Sequence, residues 1–234
     1  LLLALLMIYD GFTGPKIAGQ NVATVTAWVH YRGLVMLALL LMGNLFCMSC
    51  PFTLPRTLAH RLSGNGRRWP QALRNKWMAI AFLVIFFFLY EWLDLWASPW
   101  LTAWVIVGYF LAAFVLEAIF AESPFCKYVC PLGAFNFVSS TVSPFQITAR
   151  DTETCRTCPG KECVNGSPQA LGCCTELFVP QIRSNLDCIF CLDCARACPY
   201  DNVALVARPP GRELTQGAWP RRWDPAFLVL VFAF

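Results

Sequence analysis

The feature that most constrains this chain is a run of four cysteines near its carboxyl-terminal end. The cysteines follow the spacing C-x2-C-x2-C-x3-C-P, in residues Cys188, Cys191, Cys194, Cys198 and Pro199. In iron–sulfur proteins such a run supplies three thiolates to one cluster, and its fourth thiolate reaches a neighbouring cluster. Zinc sites also use cysteine pairs, but they take their four ligands from two separate pairs. The run therefore indicates iron–sulfur clusters and predicts a fold built around them.

Composition places most of this chain in a membrane. Hydrophobic residues make up 57% of the 234 residues, and charged residues only 14%. Soluble globular domains carry about 25% charged residues, so this balance indicates membrane helices. Thirteen cysteines in a chain with long apolar runs exclude the class of small secreted disulfide proteins. Metal binding in a reducing compartment fits the cysteine count better.

Apolar runs divide the chain into membrane and soluble parts. They predict a mainly α membrane protein with about five transmembrane helices, at 1–9, 22–46, 77–96, 101–120 and 226–234. The first and last of these helices are truncated, so we expect the natural protein to be longer at both ends. Residues 1–138 form the predicted membrane domain, residues 139–225 a soluble insert, and residues 226–234 the start of a further transmembrane helix.

The soluble insert is predicted to lie on the cytoplasmic side. The connector 51–76 carries six lysines and arginines and no acidic residue, and short loops of this kind stay in the cytoplasm. Because the connector lies between two spans, membrane topology explains its charge without nucleic-acid binding. Segments 145–149 and 203–207 have the pattern of short β-strands on either side of the cysteines. The insert is therefore predicted to be a small α+β domain.

Counting thiolates divides the soluble cysteines between two clusters, each of which needs four. By the crossover arrangement of two-cluster ferredoxins, the first cluster takes Cys155, Cys158, Cys163 and Cys198. The second takes Cys188, Cys191, Cys194 and either Cys173 or Cys174. Four residues separate Cys158 from Cys163 where two are usual. This departure leaves open a domain with a single cluster and a structural zinc.

Another set of cysteines stands where two predicted spans reach the cytoplasmic side: Cys47, Cys50, Cys126 and Cys130. A proline follows each pair and ends its helix. Brought together, the two helix ends would form a four-thiolate site at the membrane face, which we interpret as a third cluster. Two alternatives stay open, namely small apolar cysteines at helix ends and a redox-active dithiol.

Two ionisable residues within the predicted spans, His30 and Glu117, are further candidates. Such groups in membrane helices often serve substrate or proton pathways. His30 would suit quinone protonation or haem ligation, and contact with lipid headgroups explains it equally well. Glu117 is a candidate proton carrier.

The cysteine motifs resemble a known family. A C-x2-C-P and a C-x3-C-P motif at helix ends, followed by a cluster-binding insert, resemble the NapH/NosR-type membrane iron–sulfur proteins. Within that group, Cys155-Arg-Thr-Cys158, Gly172-Cys173 and the stretch 185–203 are similar to the FesM-like branch. The resemblance implies a ferredoxin-like domain with two [4Fe–4S] clusters, and it implies Cys173 rather than Cys174 as the ligand. The first membrane motif departs from the family, which has three residues between the cysteines instead of two.

The resemblance also implies a function. It implies a multi-pass protein of the bacterial inner membrane that relays electrons between a quinone pool or a membrane partner and a redox enzyme. Its partners would be membrane lipid, quinone and other subunits of a redox complex, with no nucleic acid among them. We expect an electron-transfer subunit rather than a stand-alone enzyme. One alternative is an assembly or maturation factor whose clusters reduce a metal or a disulfide in another enzyme, and a second is a structural zinc protein.

Overall fold

The computed structural model describes residues 1–48, 50–51, 58, 66–120 and 123–216. The chain divides into two compact units. Unit 1 comprises Leu1–Leu37 and Cys50–Pro131, and unit 2 comprises Ala38–Ser49 and Leu132–Phe234. The predicted last span at 226–234 lies outside the described residues, as does much of the basic connector 51–76.

Helices dominate the described chain, as predicted. In chain order they are α1 (Leu2–Thr13), α2 (Val22–Thr24), α3 (Tyr31–Met42), α4 (Leu45–Met48), α5 (Trp77–Trp92), α6 (Pro99–Ile119), α7 (Pro131–Ser140), α8 (Thr152–Thr157), α9 (Glu162–Asn165), α10 (Asp193–Ala197) and α11 (Arg212–Gln216). The described residues also contain two π-helical stretches, Val25–His30 and Phe125–Val129, and three 3-10 turns, Ala18–Gln20, Gln71–Leu73 and Val179–Gln181. The strands are β1 (Phe145–Ala149) and β2 (Val203–Ala207).

Unit 1 is a set of apolar helices, of which α2 and α6 have a polar side-chain cap. The Ser98 hydroxyl accepts a hydrogen bond from the Leu101 amide at 3.4 Å, and Pro99 occupies the first turn of α6. Both features favour a helix start at this point. Helices α1 and α6 approach closely at Gly11, where a Cβ atom would lie 2.7 Å from the Cβ of Ala103. Glycine at this position therefore permits the contact between the two helices.

One helix of the described chain, α6, is both long and apolar enough to cross a membrane. The π-helical stretch before α3 is followed by a bend of 40°, so Val22–His30 and Gly33–Met42 form a second candidate only if the bent pair is one span. Helices α1 and α5 are apolar but shorter, at 12 and 16 residues, and a straight span needs about 20. The number of five spans therefore stays a prediction. An apolar run in the sequence can be longer than the helix it forms, because part of the run folds as a turn.

Unit 2 contains the small sheet that the sequence predicts. Strands β1 and β2 pair antiparallel, from Phe145 opposite Ala207 to Ala149 opposite Val203. Their bounds equal the two predicted segments, and this part of the α+β prediction is confirmed. The face of the sheet that carries Ile147 and Val203 packs on Val179 and Phe190, together with the buried Cys163, Cys188 and Cys194. The cysteines are therefore part of the core.

A buried ion pair closes unit 2. Arg208 follows β2 and pairs with Glu213 of α11, and the two side chains are 2% and 3% exposed. Arg208 also donates to the carbonyl oxygens of Ser143 and Thr141, at 3.2 Å each. Glu213 accepts from the Ser184 hydroxyl and, at 2.7 Å, from the Asn185 amide. The pair thus holds the end of β2 against the loop that leads to Cys188.

Candidate metal centres

The first predicted set of cysteines surrounds one hollow, which we call the outer pocket. Its lining includes Cys155, Cys158, Cys163 and Cys198. Asp151 is the N-cap of α8, and its carboxylate accepts from the backbone amides of Glu153 and Thr154 at 3.0 Å each. This N-cap fixes the short helix that carries Cys155. All four cysteines predicted for the first cluster thus line one pocket.

The second predicted set surrounds a second hollow, the inner pocket. Its lining includes Cys173, Cys188, Cys191 and Cys194. Of the adjacent pair that the sequence left open, Cys173 lines this hollow. The other member, Cys174, is hydrogen-bonded to Cys191. The four-cysteine run is therefore shared between the two pockets, because Cys198 lies beyond the end of α10 and lines the outer one.

Left-handed backbone turns make this convergence of sulfur atoms achievable. Phe190 and Leu192 flank Cys191 with φ angles of 53° and 60°, a conformation that non-glycine residues seldom adopt. Gly172 has φ of 74°, and a Cβ atom there would lie 2.5 Å from the carbonyl oxygen of Val164. Glycine is thus required immediately before Cys173, for both conformation and space.

Amide groups donate hydrogen bonds to the pocket sulfurs. The Leu177 amide donates to Sγ of Cys173 at 3.3 Å, and Nδ2 of Asn202 donates to Sγ of Cys155 at 3.2 Å. Asn202 is held in turn by Asp151, whose amide donates to its Oδ1 at 2.8 Å. Such donors stabilise sulfur that carries negative charge and tune a bound centre. Asn202 lies within the stretch that carries the family resemblance, but the spacing pattern assigns no role to it.

Six of the pocket thiols have a raised pKa. Burial raises the pKa of Cys155, Cys163, Cys173 and Cys188, and it raises that of Cys194 to about 12. The pKa of Cys191 is raised by its hydrogen bond with Cys174 and then by burial. Nucleophilic cysteines have lowered pKa values instead. The pockets therefore do not resemble a thiol catalyst, and metal binding would release protons from them.

The cysteines around the two hollows are compatible with iron–sulfur clusters. Among the described residues, no three histidine, cysteine or acidic side chains form a group that could hold one metal ion. A zinc ion needs its ligands at about 2.0–2.3 Å from one centre. The sulfurs here are arranged around hollows, and four cysteines per hollow is the ligand number of a cubane cluster. The Cys158 thiol donates a hydrogen bond to Glu162 at 3.1 Å. Binding of a cluster by Cys158 would therefore require loss of this proton and of the hydrogen bond.

The four cysteines of the predicted third site, Cys47, Cys50, Cys126 and Cys130, are divided between the units. Cys47 lies in α4 and belongs to unit 2, whereas Cys50, Cys126 and Cys130 belong to unit 1. Nδ2 of Asn136 donates to Sγ of Cys47 at 3.3 Å within unit 2. In unit 1, the second motif lies on the π-helical stretch, where the Cys130 amide donates to the Phe125 carbonyl at 2.8 Å. A site shared by the four cysteines stays a prediction.

The two ionisable candidates lie in different environments. His30 is exposed, as contact with lipid headgroups requires. Glu117 is 2% exposed and accepts a hydrogen bond from the Ser123 hydroxyl at 3.1 Å.

Comparison with known proteins gives one partial match. The chain is 33% identical over 85 residues to a protein of Escherichia coli (strain K12) described as "Putative electron transport protein YccM". The match covers 36% of this chain, and the chain spans about one fifth of that relative's length (22%). No protein-family model matches the chain, and no solved structure matches it. The chain is thus similar to part of a protein described as a putative electron-transport protein. This similarity agrees with the cysteine-lined pockets. It supports a broad relation to electron-transfer proteins and does not reach the NapH/NosR-type family or its FesM-like branch.

Proposed function

We propose that this chain is a membrane-bound iron–sulfur protein that relays electrons between a quinone pool or a membrane partner and a redox enzyme. The observation that carries the proposal is the pair of pockets in unit 2, each lined by four cysteines. Three of the eight cysteines, Cys163, Cys188 and Cys194, are also part of the hydrophobic core. A cofactor bound by core residues is a permanent part of the domain. A relay needs such fixed centres, because electrons pass between them.

The proposed ligands are the cysteines that line each hollow. A [4Fe–4S] cluster takes up and releases single electrons when bound. The chain would hold the sulfurs in place through its left-handed turns and limit the access of water with Ile147, Val179 and Phe190. The amides of Leu177 and Asn202 would stabilise the negative charge on sulfur. Each of these roles belongs to a relay that moves electrons without making or breaking a bond of a substrate.

The finer parts of the proposal rest on the sequence. They are the kinship with the NapH/NosR-type proteins and their FesM-like branch, the multi-pass placement in the bacterial inner membrane, and the cytoplasmic side for unit 2. A third cluster held by Cys47, Cys50, Cys126 and Cys130 would connect the membrane part with the pockets. Quinone and further subunits of a redox complex are the proposed partners. The basic connector supports the cytoplasmic side for unit 2. The proline after each of the two cysteine pairs supports the third cluster, because it ends each helix beside its cysteines.

The first test is chemical. The full chain is purified without oxygen in detergent, and its iron, zinc and acid-labile sulfide are measured. The proposal expects iron and sulfide in equal amounts, with visible absorbance that dithionite bleaches. Zinc without sulfide would overturn it.

A second test separates a relay from a maturation factor. Protein reduced with dithionite is freed of excess reductant and mixed with a soluble quinone analogue. If the protein is a relay connected to the quinone pool, the quinone analogue reoxidises its reduced clusters, and the visible absorbance returns after mixing. Intact clusters that the quinone does not reoxidise would instead support the maturation factor.

A further inference from the structure

A short segment from the amino-terminal half of the chain belongs to the cysteine-rich unit. Ala38–Ser49, which includes the end of α3 and all of α4, is part of unit 2. Nδ2 of Asn44 donates to the carbonyl oxygen of Cys188 at 3.0 Å, and Asn44 is fully buried. Gly43 has φ of 78°, and a Cβ atom there would lie 2.3 Å from the Phe190 ring. The segment therefore packs directly on the backbone of the inner pocket.

The same segment carries Cys47, a proposed ligand of the third cluster. Cys47 stands three residues after Asn44, and Asn136 of α7 donates to its sulfur at 3.3 Å. Every contact just named joins Ala38–Ser49 to the loop of the inner pocket or to α7. All of these contacts lie within unit 2.

The two pockets differ in their access to solvent. In the inner pocket, Cys188 and Cys194 are buried and Cys173 and Cys191 are half-buried, and every residue of the loop 184–190 is buried. The outer pocket is lined by the half-buried Cys155 and Cys158, by the exposed Pro199 and by Tyr200, which is 53% exposed. A soluble molecule can therefore approach the outer pocket more closely than the inner one.

A direct backbone link joins the two pockets. The amide of Cys173, which lines the inner pocket, donates to the carbonyl oxygen of Cys163, which lines the outer pocket, at 2.8 Å. Electron transfer between protein-bound centres weakens steeply with distance. Adjacent pockets joined in this way would exchange electrons with each other faster than either would with a more distant centre.

We propose that the pockets hold fixed and unequal places in the relay, an inference that rests on the proposed function. The inner pocket is the neighbour of the Cys47 segment, and Asn44 is the positioning residue that fixes the Cys188 backbone there. The outer pocket is the terminal centre and exchanges electrons with a soluble one-electron redox protein. One electron lost at either pocket is gained at the other, with no proton transferred and no covalent bond changed.

The test measures how closely a soluble paramagnetic ion approaches each centre. Cys173→Ser removes the inner centre and keeps the outer one, and Cys158→Ser removes the outer centre and keeps the inner one, so each signal is free of magnetic coupling between these two centres. Full-length variants are reduced, and the spin relaxation rate of each EPR signal is measured with and without a soluble dysprosium chelate. We expect a larger fold-increase in relaxation rate for the outer centre. An equal or reversed effect would overturn the proposed order.

A matched pair of variants tests the positioning role. Asn44→Ala removes the hydrogen bond to the inner-pocket backbone, and Asn202→Ala removes the one to Cys155 of the outer pocket. Each variant should shift the redox potential and g-values of its own centre and leave those of the other unchanged. Asn44→Ala acting on the outer centre, or on neither, would contradict the proposal. Retained iron content shows that a variant has folded, and Asn44→Gln replaces Asn44→Ala if the latter loses iron.

The outcomes separate this inference from the function on which it rests. If the unmodified protein contains no iron and sulfide, the proposed function fails. If it shows two centres with the reverse order of solvent access, the function stands and only the order is wrong.

Discussion

Arg208 and Glu213 form an ion pair in which both side chains are almost fully withdrawn from solvent. Burial raises the pKa of Glu213, while the Ser184 hydroxyl, the charge of Arg208 and the Asn185 amide oppose that rise. The pair lies outside both pockets, but Glu213 holds the amide of Asn185, three residues before Cys188. It therefore connects the stability of unit 2 with the shape of the inner pocket.

Glu213→Gln should destabilise unit 2 strongly, because it leaves the Arg208 charge buried without its counter-ion. Breaking a buried pair in this way costs about 3–5 kcal/mol. Hydrogen exchange of the β1 and β2 amides, measured by mass spectrometry on the full chain, reports the loss. The matched control is Glu153→Gln, which removes the exposed partner of Arg156 and should cost at most about 1 kcal/mol. If the two variants lost the same amount of stability, the buried pair would stabilise unit 2 no more than the exposed pair does.

Cys173→Ser should remove the inner centre, whereas Cys174→Ser should leave it in place. The two residues are adjacent, but Cys173 lines the inner pocket and Cys174 is hydrogen-bonded to Cys191. We expect the first variant to lose the iron and sulfide of one cluster and the second to retain the full content. The reverse pattern would assign Cys174 as the ligand.

Ile147→Ala should weaken the core of unit 2, to which Ile147 belongs where it lines the inner pocket. Ile147 is 1% exposed, and loss of a fully buried isoleucine side chain costs about 2–5 kcal/mol. Leu205 is directly opposite on β2 and is 49% exposed, so Leu205→Ala should change the stability by about 0.5 kcal/mol or less. Pulse proteolysis in urea compares the two variants in the full chain. A smaller loss for Ile147→Ala than for Leu205→Ala would contradict the packing described.

The third cluster can be tested without disturbing the pockets. Cys126→Ser and Cys130→Ser should each remove the iron and sulfide of one cluster and leave the EPR signals of the inner and outer centres unchanged. Cys174→Ser is again the control, since it is outside all three proposed ligand sets. Full iron content in both variants would remove the third cluster from the proposal.

The membrane topology makes a prediction about reporter fusions. A reporter inserted after Ala97, between α5 and α6, should lie on the periplasmic side, because α6 is expected to return the chain to the cytoplasm. A reporter after Ser143, between α7 and β1, should lie on the cytoplasmic side. Alkaline phosphatase and green fluorescent protein fusions distinguish the two sides. Reporters on the same side would exclude α6 as a span.

Much of unit 2 could be predicted because its signals are local. Strands β1 and β2 have the predicted bounds, since their apolar, strand-like pattern is set by side-chain direction along an extended chain. The grouping of Cys198 with Cys155, Cys158 and Cys163 follows from the crossover spacing, and these four line one pocket. The choice between Cys173 and Cys174 came from the family resemblance, and the spacing left both open.

The sequence by itself thus determined the apolar helical character of the chain, the two strands and the candidate cysteine sets, because each is encoded within a few residues. Only the tertiary structure decided that Ala38–Ser49 packs into unit 2, that Asn44 contacts Cys188 and that Arg208 pairs with Glu213. It also decided that the apolar run at 77–96 is helical only to Trp92. Asn44 and Cys188 are 144 residues apart. A contact of that range depends on burial and shape after the chain has folded, and no local spacing records it.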